Sequence, residues 1–134
     1  MNIVLDTNVL LVAIAKKSDY RPIFDAFLNE AYNLCVTTDI LSEYEEIIGD
    51  HLGKRLASNL LQLIENAPNV QLITRYFKWN LIVADHDDDK FVDCAIAANT
   101  KFLVSDDKHF QILKQISFPK IELLTAVEFK DMLK

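Results

Sequence analysis

Five short, largely apolar runs recur along this chain with helical patterns between them. They are Asn2-Ile3-Val4-Leu5, Leu34-Cys35-Val36-Thr37, Val70-Gln71-Leu72-Ile73, Phe102-Leu103-Val104 and Ile121-Glu122-Leu123-Leu124. A strand that stays apolar at successive positions is buried on both faces, which is the habit of parallel sheets. The intervening segments supply the cover. Asp6-Thr7-Asn8 are capping residue types ahead of a helix through Val9 to Ala15, and Pro22 opens a second with Ile23, Phe24, Phe27, Leu28, Ala31 and Tyr32 at helical spacing. Thr38-Asp39 caps a third helix carrying Ile40, Leu41, Tyr44, Ile47 and Ile48, ended by a break from Gly49 to Gly53. Leu56 to Ala67 predicts a fourth, stopped by Pro68. After an aromatic, irregular stretch from Arg75 to Ala84, Phe91, Ala95, Ile96 and Ala98 predict a fifth that runs to Asn99. Phe110 to Leu113 predicts a short helix, and Thr125 caps the last. The expected fold is α/β, a parallel sheet of about five strands with helices on both faces, in one domain over residues 1–134.

Composition removes several functions. The only glycines, Gly49 and Gly53, cannot form a Walker A loop, a GxGxxG turn or a GxSxG elbow. A net charge of −6 argues against general coating of DNA or of a membrane surface. Cys35 and Cys94 lie in apolar surroundings and read as small buried hydrophobes in a reducing compartment. With His51, His86 and His109 they give no zinc-ligand spacing. The apolar run Val9 to Ala15 is too short to span a membrane, and Asp6 with Lys16-Lys17 fits no signal peptide. A cytoplasmic protein is expected.

The acids are concentrated, with Asp85, Asp87, Asp88, Asp89 and Asp93 falling within nine residues. Ligand sites in open α/β sheets lie beyond the carboxyl ends of the strands. Asp6 follows the first strand there, and Glu43 stands about one turn into the helix after the second. Asp89 starts the helix before the fourth, and Asp107 follows that strand. Asp93 is one turn from Asp89 on the same helix face. Carboxylates gathered in one pocket repel and remain protonated unless a cation compensates. Mg²⁺ or Mn²⁺ suits oxygen ligands, and two such ions hydrolyse phosphodiesters by activating water and stabilising the leaving oxygen. Setting aside Asp6, Glu43, Asp89, Asp93 and Asp107 leaves 15 acidic against 14 basic residues. Lys16, Lys17, Arg21, Lys54, Arg55, Lys90 and Lys108 are then candidates to meet a phosphate backbone.

In order along the chain, Ile3-Val4-Leu5-Asp6-Thr7-Asn8-Val9-Leu10, Glu43, Asp87-Asp88-Asp89-Lys90-Phe91-Val92-Asp93 and Leu103-Val104-Ser105-Asp106-Asp107 resemble the motifs of the PIN-domain family. The resemblance spans essentially the whole chain and is nearest to the bacterial branch of toxin components of toxin–antitoxin systems. It implies a PIN-like three-layer sandwich and a Mg²⁺- or Mn²⁺-dependent ribonuclease cutting single-stranded RNA with two ions. The implied metal-binding and catalytic acids are Asp6, Glu43, Asp89 and Asp107, with Asp93 a further ligand. The family's last motif reads Thr/Ser-Gly-Asp, where this chain has Ser105-Asp106-Asp107; spacing from Asp89 favours Asp107. Thr7, Asn8 and Ser105 are expected to support the ligating carboxylates by hydrogen bonds. An antitoxin partner and a homodimer or higher homo-oligomer are further implications.

Each element has a plainer reading. Asp6-Thr7-Asn8 alone serves as a helix cap, Glu43 as a solvated helix position, Asp85 to Asp88 as a solvated loop and Asp107 as a cap. His86 and His109 read as surface residues, and Tyr76 and Trp79 either stack on a base or pack a loop onto the core. Two rival functions are a catalytically silent RNA- or protein-binding scaffold and a receiver-like phosphoacceptor. The second lacks an acidic pair after the first strand and a Lys after the last.

Overall fold

A computed structural model describes residues 1–74, 77–82 and 85–133. The strands are β1 (Asn2–Leu5), β2 (Asn33–Val36), β3 (Val70–Leu72), β4 (Phe102–Val104) and β5 (Leu123–Leu124). They form one sheet in the order β3-β2-β1-β4-β5, and every pairing is parallel. Consecutive residues Ile3, Val4 and Leu5 are all buried, as are Leu34, Cys35 and Val36. Neighbouring strand residues point to opposite faces, so burial of both means that helices cover both sides. The α/β layering expected from the sequence is what forms. No helix of the described residues is long and apolar enough to cross a membrane.

The helices are α1 (Thr7–Ala13), α2 (Arg21–Leu28), α3 (Thr38–Leu52), α4 (Lys54–Asn66), α5 (Asp89–Ala97) and α6 (Ala126–Met132), with 3-10 segments at His86–Asp88 and Lys108–Gln115. Several boundaries differ from the sequence reading for local reasons. The β2 strand ends at Val36 because the Thr37 side chain already accepts the Ile40 N–H and caps α3. Gly49 does not break α3, since the turn has no need of a left-handed residue there. The break is Gly53, at φ 95°, a region that Gly adopts without strain. Lys108–Gln115 is 3-10 rather than α-helical, and Thr125 caps α6 through a full capping box with Glu128.

This topology puts a switch point at β1, flanked by β2 on one side and β4 on the other. The Asp6 N–H bonds the Val104 carbonyl at 3.0 Å, which fixes the ends of β1 and β4 side by side. Tyr44 on α3 is wholly buried, and its hydroxyl donates to the Leu5 carbonyl at 2.6 Å. That bond ties the helix bearing Glu43 to the strand bearing Asp6. Tyr44→Phe leaves a buried carbonyl unpaired, so urea unfolding should show a loss of about 1–2 kcal/mol. Cys35 and Cys94 are buried and unbridged, as their apolar neighbours predict.

Candidate metal centre

Asp6 is the innermost acid, only 5% exposed where β1 gives way to α1. Its carbonyl accepts the first α1 amides, but its side chain makes no cap bond. Instead, Oδ2 accepts from the Ser105 hydroxyl at 2.8 Å, and Ser105 Oγ accepts from the Asp107 N–H at 3.0 Å. Ser105 thus links the ends of β1 and β4 and orients the Asp6 carboxylate. Burial is the main force that pushes the Asp6 carboxyl up to about 6. The Ser105 hydroxyl partly relieves it, while the charges of Glu43 and Asp107 raise it further.

Glu43 is held from two sides, by the Thr7 hydroxyl on Oε2 and by Lys90 Nζ on Oε1 at 2.6 Å. Asn8 is exposed and lines a recess with Asp6 and Asp107. Asp106 and Asp107 differ in what they face. Asp106 Oδ1 accepts the Ala126 N–H at the start of α6, whereas the Asp107 charge acts on both Asp6 and Asp88. Asp107 Oδ1 also accepts the His109 N–H at 2.9 Å, so it caps the 3-10 segment as well.

Asp88 is the acid of the 85–93 cluster that meets this group. It stands at the N-cap of α5 with its side chain 15% exposed. Burial raises its carboxyl to about 6, helped by the charges of Asp107, Asp85 and Asp6 and partly offset by His109. Its Oδ2 is buried with no hydrogen-bond partner, and so is Nδ1 of His109, 3.4 Å away. Asp85, Asp88 and His109 bring one ligand atom each within 4.8 Å of one another. The reading of Asp85 to Asp88 as a solvated loop therefore fails at Asp88, and His109 is not a bystander on the surface. Neither stood out in the sequence, where Asp88 is one of three consecutive aspartates.

Asp89 and Asp93 have other engagements. Asp89 Oδ1 accepts the Ile82 N–H at 2.8 Å and its Oδ2 lies 2.8 Å from His86 Nδ1; Asp93 Oδ1 accepts the Trp79 N–H at 3.1 Å. Both line a recess with Lys78, Asn80 and Lys90. Among the candidate phosphate contacts, Lys16, Lys17, Lys54, Arg55 and Lys108 are exposed. Arg21 is already committed to the Ile14 carbonyl and Asp25. Tyr76 lies outside the described residues.

The donor set fits a hard divalent cation. Asp6, Glu43, Asp88 and Asp107 offer carboxylate oxygens, two of these acids are pushed toward protonation, and Asp88 also shares a cluster of possible ligand atoms with Asp85 and His109.

A family model described as PIN domain matches residues 2–109. VapBC2 from Rickettsia felis, solved bound to a promoter DNA fragment, is similar over 93% of this chain and 98% of that one, at TM-score 0.63 and 20% identity. VapC20 of Mycobacterium tuberculosis, a sarcin–ricin loop cleaving toxin, is similar over 84% and 94%, at TM-score 0.60 and 11% identity. The PIN domain endonuclease Utp24 is similar over 92% and 84%, at TM-score 0.55 and 17% identity. No curated protein matches the chain.

Proposed function

This chain belongs to the PIN-domain family, and from that premise we propose that it is a metal-dependent endoribonuclease hydrolysing phosphodiester bonds of single-stranded RNA. The observation that carries the reading is the convergence of Asp6, Glu43, Asp88 and Asp107 at the sheet's switch point, with the Asp6 and Asp88 carboxyls raised to about 6. A decayed scaffold would have no reason to keep so much unfavourable charge there. We assign the metal ligands to Asp6, Glu43, Asp88 and Asp107, with Asp85 at the edge. This differs from the sequence expectation in giving Asp88 the place of Asp89 and Asp93.

Mg²⁺ or Mn²⁺, as one or two ions, would supply Lewis acidity and a water of lowered pKa. The chain's own contribution is orientation. Ser105 holds the Asp6 carboxylate, Thr7 and Lys90 hold Glu43, and the Asp107 backbone is fixed by the same Ser105 hydroxyl. Lys90, bonded to Glu43, also lines the recess that holds Asp89 and Asp93.

The resemblance to VapC20 and VapBC2 supports a toxin role in the cytoplasm, with an antitoxin partner and a homodimer or higher homo-oligomer. The whole of residues 1–134 would act as one catalytic domain. The test is cleavage of a labelled single-stranded RNA panel by pure protein with Mn²⁺. Cleavage that disappears with EDTA is expected. Mn²⁺ binding without cleavage of any RNA in the panel would favour the silent scaffold.

A further inference from the structure

Three aromatic rings form an exposed cluster beside α5. Phe77 and Trp79 meet edge to face at 4.7 Å between centroids, and Trp79 meets Phe118 in the same manner at 6.2 Å. Phe118 is 81% exposed and Phe77 61%. Burying a phenyl ring is worth about 1.5–3 kcal/mol, so two left in water at one spot call for a ligand.

The backbone at the central ring is anchored to α5. The Trp79 N–H bonds Asp93 and the Ile82 N–H bonds Asp89, two carboxylates that are almost fully buried. The residues Phe77–Ile82 are thereby pinned along the helix whose N-cap is Asp88. Asp93 lies five residue steps beyond Asp88, about 7.5 Å of axial rise. Lys78, Asn80 and Lys90 line one recess with Asp39, Asp87, Asp89 and Asp93, and Lys90 reaches Glu43.

We propose that Phe77, Trp79 and Phe118 are a stacking platform for unpaired bases of single-stranded RNA, with Lys78 and Lys120 meeting the adjoining phosphates. The identity of the polymer rests on the nuclease reading above. Along the sequence Lys78 falls between Phe77 and Trp79 and Lys120 follows Phe118 by two residues, and both are exposed. Aromatic faces flanked by lysines are how single-strand grooves bind without strong sequence preference. Protein–protein interfaces, by contrast, are depleted in Lys.

Trp79 is the only tryptophan, so its fluorescence reports on the platform alone. The full chain is titrated in EDTA with a short single-stranded RNA and with an abasic oligomer of the same length. Saturable quenching by RNA and none by the abasic oligomer is expected. Phe118→Ala should weaken RNA binding about 10-fold, within the 1–3 kcal/mol that stacking on one aromatic contributes. Leu56→Ala, at another exposed apolar position, should leave binding unchanged. Equal quenching by the abasic oligomer, or an unchanged affinity in Phe118→Ala, would overturn the platform. So would a Phe118→Ala variant that binds RNA normally but falls from oligomer to monomer, which would make the patch a self-association face. Because binding is read in EDTA, failure of the nuclease reading appears separately, as intact quenching without Mn²⁺-dependent cleavage. A platform that fails alone leaves cleavage with the same KM in Phe118→Ala.

Discussion

Asp6→Asn is expected to abolish RNA cleavage and, in the absence of metal, to make the protein more stable. The loss should reach roughly 10³-fold or more, the scale seen when one preorganised electrostatic group is removed from a catalytic site. The gain in stability follows from linkage. The Asp6 carboxyl is raised from 3.8 to about 6 by burial, so the folded state binds its proton more tightly than the unfolded state. Stability from this group is present at pH below 3.8 and is lost as pH rises through about 6. At pH 7.5 the ionised Asp6 therefore destabilises the metal-free fold by about 3 kcal/mol at most. Asn removes that charge, keeps an acceptor for Ser105 and adds an amide to be desolvated, leaving a net gain of about 1–2 kcal/mol. Urea unfolding in EDTA at pH 5 and 7.5 measures it; the advantage of the variant should appear at 7.5 and shrink at 5. Saturating Mn²⁺ should reverse the order, since only the wild type gains binding energy. A variant less stable than wild type in EDTA at pH 7.5 would contradict the strained-acid reading.

Asp88→Asn and Asp89→Asn, neighbours in sequence, should behave differently. Asp88 faces Asp107, Asp6 and His109, with Oδ2 3.4 Å from His109 Nδ1, so its neutralisation should weaken Mn²⁺ affinity by more than about 100-fold, beyond the 10–100-fold typical of outer partners. Asp89 accepts the Ile82 N–H, which an Asn oxygen also accepts. Its replacement should cost less than about 10-fold in affinity and about 1 kcal/mol in stability. Calorimetric titration with Mn²⁺ on both variants makes the comparison, and the reverse order would return the ligand role to Asp89.

The pair also shows where the sequence stops being informative. Apolar runs end where strands end, so Asp6 and Asp107 were legible as residues at the carboxyl edges of β1 and β4. Glu43 was legible through its place one turn into α3. The spacing of Asp89 and Asp93 correctly puts them on one helix face, since both accept amides from the Phe77–Ile82 stretch. Periodicity says which residues share a face, but not what the face looks at. Successive helical residues are rotated by about 100°, so moving from Asp89 back to Asp88 exchanges the aromatic segment for the acids. That choice depends on how a long irregular segment folds over α5, which no local pattern encodes. The same holds for His109, whose Nδ1 lies 3.4 Å from Asp88 and 3.5 Å from Asp107, residues of two distant segments. Gly49 was misread because a glycine weakens a helix without ending it; only the positive φ at Gly53 does so.

The central claim is that a divalent ion sits among Asp6, Asp88 and Asp107 at the end of β1. Anomalous diffraction from crystals soaked in Mn²⁺ above pH 7 tests it most directly. A peak within about 2.5 Å of carboxylate oxygens from those three residues is the predicted result. A peak held by Asp89 and Asp93, or none at any carboxylate, would contradict it.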